Sequence, residues 1–214
     1  VERRHDAGLR KEKTIASFFR SFYSSLLASG FDLLASWNPL AQFRFRRFPS
    51  PAQQGWGPLD PKAGIVVETT GSAASTSFCS YLKKHNESVR ITGHWHMSFV
   101  LFWAFRNQKP TVFLWREFPG FLNSMSGRYE HWQLQRWTLA LRWVILMMAA
   151  AMTSQRILRV SYSDIVESPA DTIGKINAKF GTDFAVGDNE LPRIKTQTRE
   201  DHEKVIAELR REKR

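Results

Sequence analysis

Cysteine is almost missing from this chain, and acidic residues are scarce beside basic ones. The lone thiol, Cys79, excludes an internal disulfide and any cysteine-rich metal site, and its setting among small residues points to packing rather than nucleophilic chemistry. No GxxxxGK[ST] phosphate loop occurs, because no lysine precedes the serines and threonine that follow the first apolar strand. The longest apolar run, Trp143 to Met152, falls well short of the ~20 residues that cross a bilayer and reads as a buried helix. No signal peptide is evident, which favours the cytoplasm; the start at Val1 leaves a membrane-anchored form open. Internal repeats are absent. The eight tryptophans are scattered, so no aromatic platform for nucleic acid is indicated.

What is abundant is positive charge. Lys and Arg number 31 against 20 Asp and Glu, a net charge of +11, so an anionic ligand or surface is expected. Nucleotide, nucleic acid and acidic lipid all satisfy that. Many of the cations lie in terminal stretches (Arg3, Arg4, Arg10, Lys11, Lys13; Arg210, Arg211, Lys213, Arg214), where solvated tails are the simpler reading. With 214 residues and 43% apolar content, the chain can bury the core of one α/β domain.

Three segments follow from the pattern. Residues 1–60 form a helical and loop-rich N-terminal segment. Within it, Thr14 to Trp37 predicts a helix with an apolar stripe of Phe18, Phe19, Phe22, Leu26 and Leu27; Asn38 to Pro61 holds five prolines and the basic residues Arg44, Arg46 and Arg47. The stripe could pack on its own domain, on a membrane or on a partner, and its own domain is favoured. Residues 61–185 form an α/β core, and 186–214 a basic C-terminal loop and helix. In the core, strands are expected at Ile65–Glu68, Val89–Thr92, Thr111–Trp115 and Ile157–Ser161. Helices are expected up to His85, over Met97–Arg106, from about Gly120, over Tyr129–Thr153 and over Pro169–Phe180. Strands alternating with helices predict a single domain with a central parallel sheet flanked by helices, whose ligands bind at the C-terminal strand ends.

Two stretches place chemistry at such ends. In the first, an apolar strand runs into Thr69–Ser77, a loop of small residues, and a helix opens at Ser75–Ser77. Small residues let backbone N–H groups converge on an anion, and a helix N-terminus adds roughly half a positive charge. A serine-capped helix after a strand is the plainer alternative. In the second, Arg116 ends a strand and Ser124 lies on the helix that follows. A guanidinium there needs an anion or a carboxylate, and Glu117 is adjacent.

In order and spacing these elements resemble the sulfotransferases that use 3′-phosphoadenosine 5′-phosphosulfate (PAPS). Ser72-Ala73-Ala74-Ser75-Thr76-Ser77 corresponds to the PxSGTT loop of that family. Arg116 and Ser124 stand eight positions apart, like its arginine and serine, and His94 lies twenty-two positions before Arg116, like its histidine. Tyr162-Ser163-Asp164-Ile165, then Pro169 and a helix closing on Phe180-Gly181, matches its YED-like turn. The likeness covers about Gly64 to Phe184. It implies a P-loop-like nucleotide-binding topology, PAPS as co-substrate and no metal. It further implies sulfonate transfer to a hydroxyl or amine of a small-molecule or glycan acceptor. By the same resemblance, His94 is the catalytic base, with His96 its alternative. Ser72, Ala74, Ser75, Thr76, Ser77, Arg116, Ser124 and Tyr162 would hold the nucleotide, with Arg116 and Ser124 on the 3′-phosphate and Tyr162 near the adenine. The family carries a lysine or arginine where Ala73 stands and a glycine where Ser75 stands, and Arg193 is the candidate for its C-terminal arginine. Two further readings stay open: a non-catalytic relative that binds nucleotide or a partner, and a basic module for nucleic acid or a membrane surface. Nucleic acid is disfavoured, and membrane association would run through the N-terminal segment.

Overall fold

The computed structural model describes residues 59–71, 73–94, 96–128 and 136–192, with backbone only over 125–128 and 136–138. The expected helix Thr14–Trp37, most of the proline-rich connector, Ser72, Trp95, Arg193 and the charged tail lie outside these residues.

Four strands form one parallel sheet in the order β2-β1-β3-β4. They are β1 (Ile65–Thr69), β2 (Ile91–Gly93), β3 (Thr111–Trp115) and β4 (Ile157–Ser161). β1 is buried throughout, because strands flank both its edges and helices cover both its faces. That double burial is why it reads as a continuous apolar run, not an alternating one. Helices α1 (Ser75–His85), α5 (Tyr162–Glu167) and α6 (Pro169–Phe180) form one layer. There Ile65, Val67, Val112, Leu114 and Val160 meet Phe78, Leu82, Ile165, Ile173 and Ile176. On the other face, α2 (Ser98–Arg106) and α4 (Arg136–Met152) pack on Val66, Phe113 and Ile157 through Phe99, Trp103, Leu101, Leu146, Ala149 and Ala150. α3 (Phe118–Arg128) follows β3. The molecule is thus a single α/β domain with a parallel sheet between helices.

Several bounds differ from the sequence reading, each for a local reason. α3 opens at Phe118, two residues before the expected start, with Pro119 in its first turn where a missing N–H costs nothing. The expected turn after β4 is the short helix α5. Ser161 accepts from the Asp164 N–H while the Asp164 carboxylate reaches back to the Ser161 N–H, a reciprocal cap on its first turn. The expected buried helix is only half buried. α4 covers Leu139, Leu146, Ala149 and Ala150 but exposes Val144, Met148 and Met152. Among the described residues, no helix is long and apolar enough to cross a membrane.

β2 ends at Gly93, paired with Val67 of β1. Its φ is +113°, and an added Cβ would stand 2.4 Å from the Val67 carbonyl oxygen. Backbone cannot yield there without breaking the β1–β2 pairing. Gly93→Ala is therefore expected to cost more than about 2 kcal/mol, read as a lowered urea midpoint at unchanged slope. A midpoint within error of wild type would contradict the close approach.

Candidate functional site

The chain leaves β1 for β2 on one side, then crosses to β3 on the other, so the strand order reverses between β1 and β3. A crevice at the carboxyl ends of two such strands is where open α/β sheets bind ligands. All four strand ends contribute a sequence-predicted residue or its neighbour.

The loop after β1 is stitched to β3. The Thr70 N–H donates to the Leu114 carbonyl at 3.1 Å, and the Arg116 N–H to Thr70 Oγ1 at 3.3 Å. The Gly71 N–H donates to Thr69 Oγ1 at 3.0 Å. Ala74 then takes a left-handed conformation, φ 56°, and α1 begins with no side-chain cap and no acidic residue in its first turn. Its leading N–H groups keep their partial positive charge for a ligand. Thr76 is exposed and Ser77 half-buried at this entrance, whereas Ser75 turns inward. Ala73 is fully buried in the core beneath α1.

Inward-turned Ser75 meets His94: Oγ and Nε2 are 2.9 Å apart, and either atom can donate. His94 follows directly on β2, its N–H donating to the Val67 carbonyl at 2.8 Å. Desolvation lowers its pKa to about 4, so the imidazole is neutral at ordinary pH. The strand expected at Val89–Thr92 runs instead from Ile91 to Gly93, so both histidines lie beyond it. β2 stops at Gly93, and His94 and His96 each adopt a positive φ, 64° and 55°. The rings nevertheless meet edge-on with centroids 4.8 Å apart. His96 Nδ1 lies 3.2 Å from the Thr69 carbonyl, which can only accept, so Nδ1 carries the proton.

A residue the sequence reading passed over holds this arrangement. Glu68, fully buried at the end of β1, accepts the His96 N–H at 2.7 Å and the Thr69 N–H at 2.9 Å on the same oxygen. These bonds offset part of the cost of burying a carboxylate and fasten the loop after β2 to the end of β1. The signal was available: a carboxylate closing an otherwise apolar strand, IVVE.

Across the crevice, the Arg116 guanidinium lies over the Tyr162 ring, 4.2 Å from its centroid. Tyr162 opens α5 directly after β4, which pairs with β3, so two expected ligand residues from distant sequence become neighbours. Gly120 leaves room for the arginine stem; a Cβ there would approach Arg116 Nε to 3.0 Å. The Trp143 indole donates to the Arg116 carbonyl at 3.0 Å, tying α4 to the site. Ser124 sits partly buried on α3, about two turns beyond Arg116. Lys84, at the far end of α1, pairs with Asp188 at 3.7 Å. Arg44, Arg46, Arg47 and Arg193, the expected auxiliary cations, lie outside the described residues.

No protein-family model matches this chain, and no curated protein matches it significantly.

The lowered His94 pKa has a stability consequence. An unfolded histidine titrates near 6.5, so between about pH 6.5 and 4 the unfolded chain binds more protons than the folded one. The contribution of His94 is fully present above pH 6.5 and lost as pH falls to about 4, up to ~3 kcal/mol in all. Denaturation at a series of pH values is expected to show a shallower acid loss for His94→Asn, which tolerates the left-handed backbone. Parallel curves for variant and wild type would refute the depressed pKa.

Proposed function

We propose that this chain is a PAPS-dependent sulfotransferase with a P-loop-like nucleotide site. The carrying observation is that an uncapped helix N-terminus, the Ser75–His94 pair and the Arg116–Tyr162 stack all lie at the carboxyl ends of the sheet's strands.

The residues present suit a doubly phosphorylated adenine nucleotide. The first turn of α1 and the hydroxyls of Thr76 and Ser77 would hold its 5′-side anion. Arg116 and Ser124 would hold the 3′-phosphate, and Tyr162 would lie near the adenine. When bound, the phosphosulfate supplies an activated sulfonate. His94 Nε2, released from Ser75, takes the proton of the acceptor hydroxyl or amine. A neutral imidazole is in the right state for this, though a pKa of about 4 makes it a weak base on its own. An anion on α1 raises the proton affinity of a nearby imidazole, which strengthens the base once nucleotide is in place.

The second reading is nucleotide binding without transfer. The observation that favours it is the burial of Ala73, which leaves that position unable to present a cation to the sulfonate.

Calorimetry separates these from a general anion binder. Adenosine 3′,5′-bisphosphate is expected to bind more tightly than AMP, and Arg116→Ala to weaken it at least about tenfold, the worth of one charge-assisted hydrogen bond. Equal affinity for the two nucleotides would remove the proposal. With PAPS and a broad acceptor panel, His94→Ala is expected to lower transfer by on the order of 10²–10⁴ while leaving bisphosphate affinity near wild type. Tight bisphosphate binding with no transfer by the wild-type chain would select the second reading.

A further inference from the structure

α4 carries more apolar surface than the described fold covers. Beneath it, Leu139, Leu146, Ala149 and Ala150 are buried. Its opposite face is apolar too. Val144, Met148 and Met152, one turn apart, are 43%, 59% and 64% exposed, with Leu141 and Ile145 partly exposed beside them. From Leu139 to Met152 the helix has one charge, Arg142. A helix apolar on all sides is normally covered on all sides.

We infer that this face seats the chain's own segment Thr14–Trp37. The path of the chain is the first argument. Leu59, the first described residue, is packed with Val66, Phe99, Val100 and Trp103, in the layer of α2 and α4. The opposite layer is already closed by α1, α5 and α6. The connector from Asn38 to Pro58 reaches at most ~75 Å, against a length of ~25 Å for α4. The pattern is the second argument. Phe18, Phe22 and Leu26 recur every four residues, as do Val144, Met148 and Met152, and rows of this spacing interlock when two helices cross. Methionine thioethers adapt to aromatic rings and favour contact with them. The segment Thr14–Trp37 carries only Arg20 and Asp32 as charges, so it too has an apolar face to cover. Tethering favours this occupant, because a linked segment meets the face intramolecularly, whereas a second copy or a separate partner must associate from solution.

The test uses the full chain with cysteine pairs. Met148→Cys is combined in turn with Phe18→Cys, Phe22→Cys and Leu26→Cys; Cys79 is fully buried and stays out of the reaction. Under mild oxidation at least one pair is expected to close a disulfide within the monomer, seen as a faster band on a non-reducing gel. In the Met148→Cys single variant, adding Phe22→Asp is expected to speed alkylation of the thiol at 148. The inference is overturned if all three pairs stay reduced while the thiol at 148 alkylates freely, or if disulfides form only between chains. It is equally overturned if the wild-type chain sediments with phosphatidylcholine–phosphatidylserine vesicles and Met148→Asp abolishes this.

Discussion

Each candidate residue takes its position from the confinement of β1. This strand is hydrogen-bonded along both edges and packed on both faces, so its carboxyl end is a fixed point inside the domain. Pairing with β2 puts Gly93 against Val67 and brings His94 onto the Val67 carbonyl. Pairing with β3 puts Leu114 against Thr69 and lets Arg116 bond to Thr70. β4, paired with β3, delivers Tyr162 under Arg116. Loosening β1 would scatter all of these at once. The buried carboxylate of Glu68 extends the confinement by one step, since it binds the backbone of both β1 and the loop after β2.

The confinement also makes room for strain. Ala74, His94 and His96 all have positive φ without being glycine, and all three stand at the ends of β1 or β2. A left-handed conformation costs an ordinary residue on the order of 1–2 kcal/mol, and such outliers persist only where surrounding bonds over-determine them. Here the bonds can be named: His94 N–H to Val67, His96 N–H to Glu68, and Ser75 to His94. The strain aims both rings back over the loop after β1 instead of along the strand. Without it the histidines would follow the alternation of an extended chain and point to neither Ser75 nor Thr69.

Much of the frame was legible in the sequence. β3, β4 and α6 have the bounds that their apolar runs and the Pro169 start indicate. Arg116 was singled out from its place at a strand end, Tyr162 only through the resemblance. Their stacking was not legible, because it depends on which strands pair. The helix α5 had its signal in Ser161-Tyr162-Ser163-Asp164, a capping sequence read instead as a turn. The inward burial of Ala73 and the outward exposure of Thr76 follow from the left-handed turn at Ala74, and a string of small residues does not encode that turn. The end of β2 is set by contact with the Val67 carbonyl, a tertiary fact with only Gly93 as its trace. For α4, apolarity on every side spoke for burial, while the described fold covers only one face.

The charges of the site divide into two kinds. The Arg116 guanidinium lies over the face of Tyr162, where the ring quadrupole replaces part of its lost water. His94 has lost its charge because burial disfavours the imidazolium. The standing positive field therefore comes from the guanidinium and the uncapped end of α1, and the imidazole adds to it only when something offsets its desolvation. An anion on α1 would do so: it would favour the protonated ring, so its binding and proton uptake would be linked through His94. The same linkage keeps the empty site from holding an extra buried charge. At neutral pH the domain keeps the stability that a neutral His94 contributes, and acid removes it as pH falls from about 6.5 to about 4.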